Sequence, residues 1–152
     1  MRVFKGKGRL ALVGTILLAV LIIGGCAATI KYSYDTRTGF SGLRSYAWAP
    51  SSSGYGGADS LLETNVRVLA DQLLGQKGFT KVPEKSDLLI SMNYESDLGS
   101  QYQLRMLTLN IYKSEQKELI WRGTASGSIY TDAASDDLKR AVEGILSNFP
   151  PK

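Results

Sequence analysis

From Leu10 to Ile23 the chain runs for 14 residues with nothing more polar than Thr15, and Arg2, Lys5, Lys7 and Arg9 stand before it. Gly24, Gly25 and Cys26 follow at once. A basic start, a short apolar run and small residues form the layout of a secretory signal. The pattern therefore assigns residues 1–25 to a signal peptide that is removed, and whatever folds is built from Cys26 onward.

Ile23-Gly24-Gly25-Cys26 resembles the bacterial lipobox, in which an aliphatic and two small residues precede a cysteine that is lipidated on sulfur before cleavage. Small residues let extended backbone enter the peptidase, and the apolar segment brings the thiol to its lipid donor. On this reading Cys26 is the lipidation site and the membrane is a partner through its acyl chains. Residues 26–29 form a short tether, and residues 30–152 form one domain. Ala27 stands where many such lipoproteins carry the Asp that retains them in the inner membrane. This points to the periplasmic face of the outer membrane in a Gram-negative host. An uncleaved anchor is the alternative: the uncharged stretch Leu10 to Ile30 has 21 residues, and a span needs about 20. In both cases the positive residues stay inside and the domain is exported.

The signal segment also accounts for the charge. The formal net charge is +4, from 18 basic and 14 acidic residues. Setting aside the four N-terminal basic residues leaves 14 against 14, so the mature chain is neutral and carries no nucleic-acid footprint. The chain has no histidine and one cysteine. Histidine-based triads, an internal disulfide and a four-cysteine metal site are thereby excluded.

In the mature part, Ile30, Tyr32 and Tyr34 alternate with polar residues and predict a half-buried strand. A second strand is expected at Ser45 to Ala49, followed by a Gly/Ser loop, Ser51 to Asp59, that carries Tyr55 as a possible surface contact. Ser60 and Glu63 fit a capping box, and Leu62, Val66, Leu69 and Leu73 give a helix an apolar face up to Gly75 or Gly78. Phe79 to Val82 reads as a short extension. Asp87 to Glu95 is a strand with Leu88, Ile90, Met92 and Tyr94 on one face, and Glu95 to Gln101 a polar loop. Tyr102 to Lys113 is a strand whose apolar parity changes between Met106 and Leu107, which predicts a bulge or burial of both faces. In the strand Leu119 to Tyr130, Leu119, Trp121, Gly123, Ala125, Gly127 and Ile129 share a face whose small centre admits a close helix. Ser135 is expected to cap a last helix with Asp136 and Asp137 in its first turn and Leu138, Val142, Ile145 and Phe149 facing inward. The order β-β-α-β-β-β-α predicts an α+β fold, a mainly antiparallel or mixed sheet with two amphipathic helices on one face.

Four segments carry a family likeness: Phe40-Ser-Gly-Leu-Arg-Ser-Tyr-Ala-Trp48; Lys77-Gly78-Phe79; Ser86-Asp87-Leu88-Leu89-Ile90; and Leu119-Ile-Trp-Arg-Gly123 with a final helix ending Asn148-Phe149-Pro150-Pro151. In this order they resemble a family of bacterial envelope lipoproteins known only as domain of unknown function 4136. The resemblance implies an α+β domain exported behind a lipobox. It implies no activity and supplies no catalytic residues.

Each motif with chemical promise has a structural counterpart. Trp121 and Arg122 offer planar surfaces for a sugar or a cation, yet the parity of Trp121 makes it core and sends Arg122 to the polar face. Asp132, Asp136 and Asp137 lack the spacing of a calcium loop, and a helix N-terminus accounts for the last two. Gly54-Tyr55-Gly56-Gly57 lacks the Lys-Ser/Thr of a phosphate loop. No cofactor or metal ligand set is expected. The sequence reads as a monomeric, non-catalytic module that binds or supports an envelope protein or polymer. A hydrolase built on two carboxylates and acting on an envelope polymer is the alternative.

Overall fold

A computed structural model describes residues 28–50, 60–100 and 102–152. Its elements are β1 (Thr29–Tyr34), β2 (Ser45–Trp48), α1 (Ser60–Gln76), β3 (Thr80–Lys81), β4 (Leu88–Ser96), β5 (Gln103–Lys113), β6 (Glu118–Tyr130) and α2 (Asp137–Ser147). They form one six-stranded mixed sheet in the order β1-β6-β5-β4-β2-β3. β2 runs parallel to both β3 and β4, and the remaining pairs are antiparallel. The expected order holds, with the extension after α1 paired as β3.

The two helices pack against each other, both on the face that carries Tyr46, Ile90, Ile111 and Trp121. Leu62, Val66, Ala70 and Leu74 of α1 are buried, while Leu69 and Leu73 are only partly covered. The helix thus rests on its i, i+4 ridge rather than on the stripe expected through Leu69 and Leu73. It ends as glycine permits: Gly78 has φ 86°, its N–H donates to Gly75 O (3.0 Å), and Phe79 N–H donates to Leu74 O (3.0 Å). These are the two crossed bonds of a Schellman motif, with Phe79 and Leu74 both buried above them.

In α2 the expected inward residues are buried, and Ala141 and Leu146 join them. Its start differs from expectation. Asp136 occupies the N-cap position and makes no side-chain cap. Ser135, one residue earlier, accepts a hydrogen bond at Oγ from Asp137 N–H (3.1 Å). The small centre of β6 has the expected role. A Cβ on Gly123 would overlap the Trp121 ring and lie 2.8 Å from Ile145 Cγ2, so α2 seats against bare backbone.

β5 is bulged where its parity changes. Against β4, Glu95 pairs with Met106 and Ser96 with Leu104, so Arg105 is the extra residue. Against β6, Leu104 pairs with Ile129 and Met106 with Ser126, and there β6 carries the extra residue, Gly127 and Ser128 opposing Arg105. Beyond it both faces are buried, Leu107, Leu109 and Ile111 under the helices and Thr108 and Asn110 on the other side. Thr108 bonds Thr124 (2.9 Å), Asn110 Nδ2 donates to Asn93 Oδ1 (2.9 Å), and Arg122 Nε donates to Asn110 Oδ1 (2.7 Å). This ladder satisfies the polar groups of a sheet face that no described element covers.

Two further expectations are corrected by register. A shift between Ile111 and Tyr112 turns Ile120 inward, buried beside Trp121, and leaves Leu119 on the surface. β1 is an edge strand, and α2 covers only its start, where Ile30 packs on Gly144. Tyr32 and Tyr34 lie beyond that cover, 49% and 40% exposed, so the strand is less buried than its alternation implies.

Candidate functional site

Cys26 and Tyr55, the lipidation and contact residues of the sequence reading, lie outside the described residues, as does the loop Ser51 to Asp59. The other chemically suggestive residues are used by the fold. Trp121 is fully buried, with its ring centroid 5.3 Å from that of Phe149. Arg122 is exposed on the polar face and holds Asn110. Asp132 Oδ1 accepts Ala134 N–H (3.0 Å) and Asp137 pairs with Arg140. Among the described residues no three acidic, His or Cys side chains group as metal ligands.

Two other carboxylates hold the structure together. Asp71, on α1, accepts Tyr46 Oη (2.7 Å) and Trp48 Nε1 (2.8 Å) at Oδ1 and Lys81 Nζ (2.9 Å) at Oδ2. One side chain thereby fastens α1 to β2 and β3. Burial pushes the Asp71 carboxyl up, but the bonds from Trp48, Lys81 and Tyr46 outweigh it and leave the group below its usual range. Burial, and then the bond to Asp71, pushes the Tyr46 phenol well above its usual value. Above the ring of Trp48, Arg67 places its guanidinium carbon 5.3 Å from the centroid.

Asp87, just before β4, accepts Arg44 N–H (2.9 Å), Ser45 N–H (2.8 Å) and Ser45 Oγ (2.8 Å) at Oδ2. Those bonds hold its carboxyl below the ordinary range, the backbone N–H of Arg44 contributing most. They fix the start of β2 against β4. Nothing in the composition marks Asp71 or Asp87 as special. The sequence signal for Asp71 is an acidic residue flanking the buried ridge of a helix, and its partners become visible only once β2 is placed.

The four likeness segments converge. Phe149 is the hub of an aromatic cluster, its ring centroid 6.0 Å from Phe40, 5.4 Å from Phe79 and 5.3 Å from Trp121. The remaining signature positions are the Asp87 clasp and the Tyr46 and Trp48 partners of Asp71. The signature therefore specifies how the domain folds and outlines no reactive centre.

Among the depressions in the described surface are two open ones. One, of about 600 Å³, is lined by Leu43, Asp87, Lys85, Lys113 and Glu115 among others. The second, of about 470 Å³, runs between α1 and the loop before α2, with Leu61, Val68, Tyr102 and Leu138 in its walls. Leu61, Val68 and Tyr102 are exposed there, and so is Leu98 in the turn between β4 and β5. Leu98 sits within the polar stretch Glu95 to Gln101, where an isolated Leu among polar neighbours is the available sequence signal.

Residues 30–151 match the family described as Domain of unknown function (DUF4136). Solved structures share the fold. A DUF4136 family protein from Bacteroides thetaiotaomicron is 12% identical, with a TM-score of 0.57 over 82% of this chain and 95% of that one. A PelC dodecamer from Paraburkholderia phytofirmans is 11% identical, with a TM-score of 0.54 over 79% of this chain and 95% of that one. A PDZ domain protein from Parabacteroides distasonis is 16% identical, with a TM-score of 0.61 over 82% of this chain, which spans only 36% of that protein. No curated protein sequence matches. The chain belongs to the DUF4136 family.

Proposed function

We propose that this DUF4136 member is a non-catalytic, lipid-anchored envelope module, held at the outer membrane by acyl chains on Cys26 and engaging another envelope protein or polymer. The observation that supports the non-catalytic reading is how four of the 14 carboxylates are committed to the fold. Asp35, Asp71, Asp87 and Asp137 all sit below the ordinary carboxylate range, and each is tied to a structural partner. A hydrolase that works with two carboxylates needs one of them raised, so that it holds a proton to donate. The lipobox-like Ile23 to Cys26 supports the anchor, and a domain that starts its first strand at Thr29 suits a short tether.

The test has two arms. Crosslinking in cells followed by purification of the native protein should retrieve a discrete envelope component. The purified protein should show no turnover of peptidoglycan, glycans or esters. Turnover abolished by changing one Asp or Glu, with the fold retained, overturns the proposal in favour of a hydrolase.

A further inference from the structure

The first described residue, Ala28, fixes which end of the domain faces the anchor. Thr29 pairs with Ser126, and the Cα of Ala28 lies 3.5 Å from where a Cβ on Gly127 would sit. The chain thus leaves the sheet beside the end of β6. Gln103 of β5 pairs there with Tyr130, and Ser96 of β4 pairs with Leu104. The β4–β5 turn, the loop before α2 and the groove that joins Leu61 to Tyr102 occupy this same end. Ala28 is two positions on from Cys26, with Ala27 between them, which limits their Cα distance to about 7 Å.

Of the described residues, the three most exposed large apolar side chains lie at this end, while Val68 (51%) and Tyr32 (49%) stand in mid-helix and mid-strand. Leu98 is 100% exposed, Leu61 68%, Tyr102 59% and Tyr130 45%. At the opposite end the turn between β5 and β6 and the segment before β4 present Lys85, Glu115, Lys117 and Glu118, and the large apolar groups there, Tyr34 and Leu119, are less exposed. Resting Leu and Tyr in the interfacial layer of a bilayer removes apolar area from water while the phenol oxygens stay hydrated.

We propose that the anchor-proximal end, with Leu98, Tyr102, Tyr130 and Leu61 as contacts, docks on the lipid surface that holds the acylated Cys26. The inference rests on the lipid-anchor reading. The tether selects the bilayer as the occupant, because an acylated Cys26 keeps this end within about 10 Å of the interface. Glu95, Asp97, Asp132 and Asp136 lie at the same end, and Arg105, Lys139 and Arg140 offset them only in part. The contact is therefore apolar, and zwitterionic lipid suits it better than anionic lipid.

The experiment uses full-length acylated protein carrying Leu98→Cys or, at the far end, Lys117→Cys. Each introduced thiol is labelled with an environment-sensitive nitrobenzoxadiazole dye. The protein is reconstituted on vesicles of phosphatidylcholine and phosphatidylethanolamine that contain a doxyl-labelled quencher lipid. Position 98 should shift to shorter wavelength and lose emission to the quencher, with position 117 unchanged. If vesicles float the protein but positions 98 and 117 respond alike, the docking surface is refuted and the anchor stands. Dye uptake by protein without an introduced cysteine reports a free Cys26 thiol. With loss of flotation, that result overturns the anchor and this inference together.

Discussion

Replacing Trp121 by Ala removes the largest fully buried side chain of the domain. The indole bridges Phe149 and the bare backbone of Gly123, where α2 seats. Truncations of this kind cost about 3 to 5 kcal/mol through lost transfer energy and the cavity left behind. One feature lowers that figure: Trp121 Nε1 is buried and finds no acceptor among the described residues. An unsatisfied buried N–H carries a penalty of about 1 to 3 kcal/mol that Ala does not inherit. The loss should therefore fall near the lower bound, about 3 kcal/mol. Trp121→Phe keeps a ring and sheds the orphan donor, and should cost only about 1 to 2 kcal/mol. Urea unfolding of the domain from Ala27 onward, followed by circular dichroism, reads both. With a slope of about 1 to 3 kcal/mol per molar urea, Trp121→Ala should lower the midpoint by about 1 to 3 M. A midpoint equal to wild type for Trp121→Ala, or a larger loss for Phe than for Ala, would refute the packing argument.

The seat of α2 on β6 predicts that Gly123→Ala costs about 1 to 3 kcal/mol by overpacking, while Gly42→Ala, which meets no atom within 4 Å, is nearly neutral; the same urea curves compare them. Acid should destabilise the domain through Asp71 and Asp87, whose carboxyls are lowered in the fold. Such groups bind fewer protons folded than unfolded, so their stabilisation is complete above the unfolded value of about 3.9 and is lost as pH falls through the lower folded value. Melting temperatures recorded from neutral to strongly acidic pH should fall in that window, less steeply for Asp71→Asn and Asp87→Asn, and an unchanged profile in both variants would contradict the clasp assignments.

Periodicity carries most of the fold, because each strand and helix has one face that must leave water. The inward residues of α2 and the Leu88, Ile90, Met92 and Tyr94 face of β4 are legible for that reason. The errors fall where tertiary register overrides local pattern. Ile120 replaces Leu119 inside because of a shift at the β5–β6 hairpin, which no window of residues encodes. Tyr32 and Tyr34 alternate like core residues but sit on an edge that α2 does not reach. Asp71 was invisible since its three partners come from β2 and β3, at sequence separations of 10 to 25 residues. Leu98 in a polar turn carries the same signal, a lone large apolar side chain among polar or glycine neighbours, that marks Tyr55 as a possible contact, and Tyr55 itself lies outside the described residues.

On the proposed function, Cys26 becomes the acylated first residue of a membrane-held domain. Mass analysis of the intact protein extracted from its native membrane tests this most directly. The expected chain begins at Cys26 and carries a thioether-linked diacylglycerol, with none of the 1–25 segment remaining. A chain that still begins at Met1 with an unmodified Cys26 would contradict it and assign the N-terminal segment to an uncleaved span.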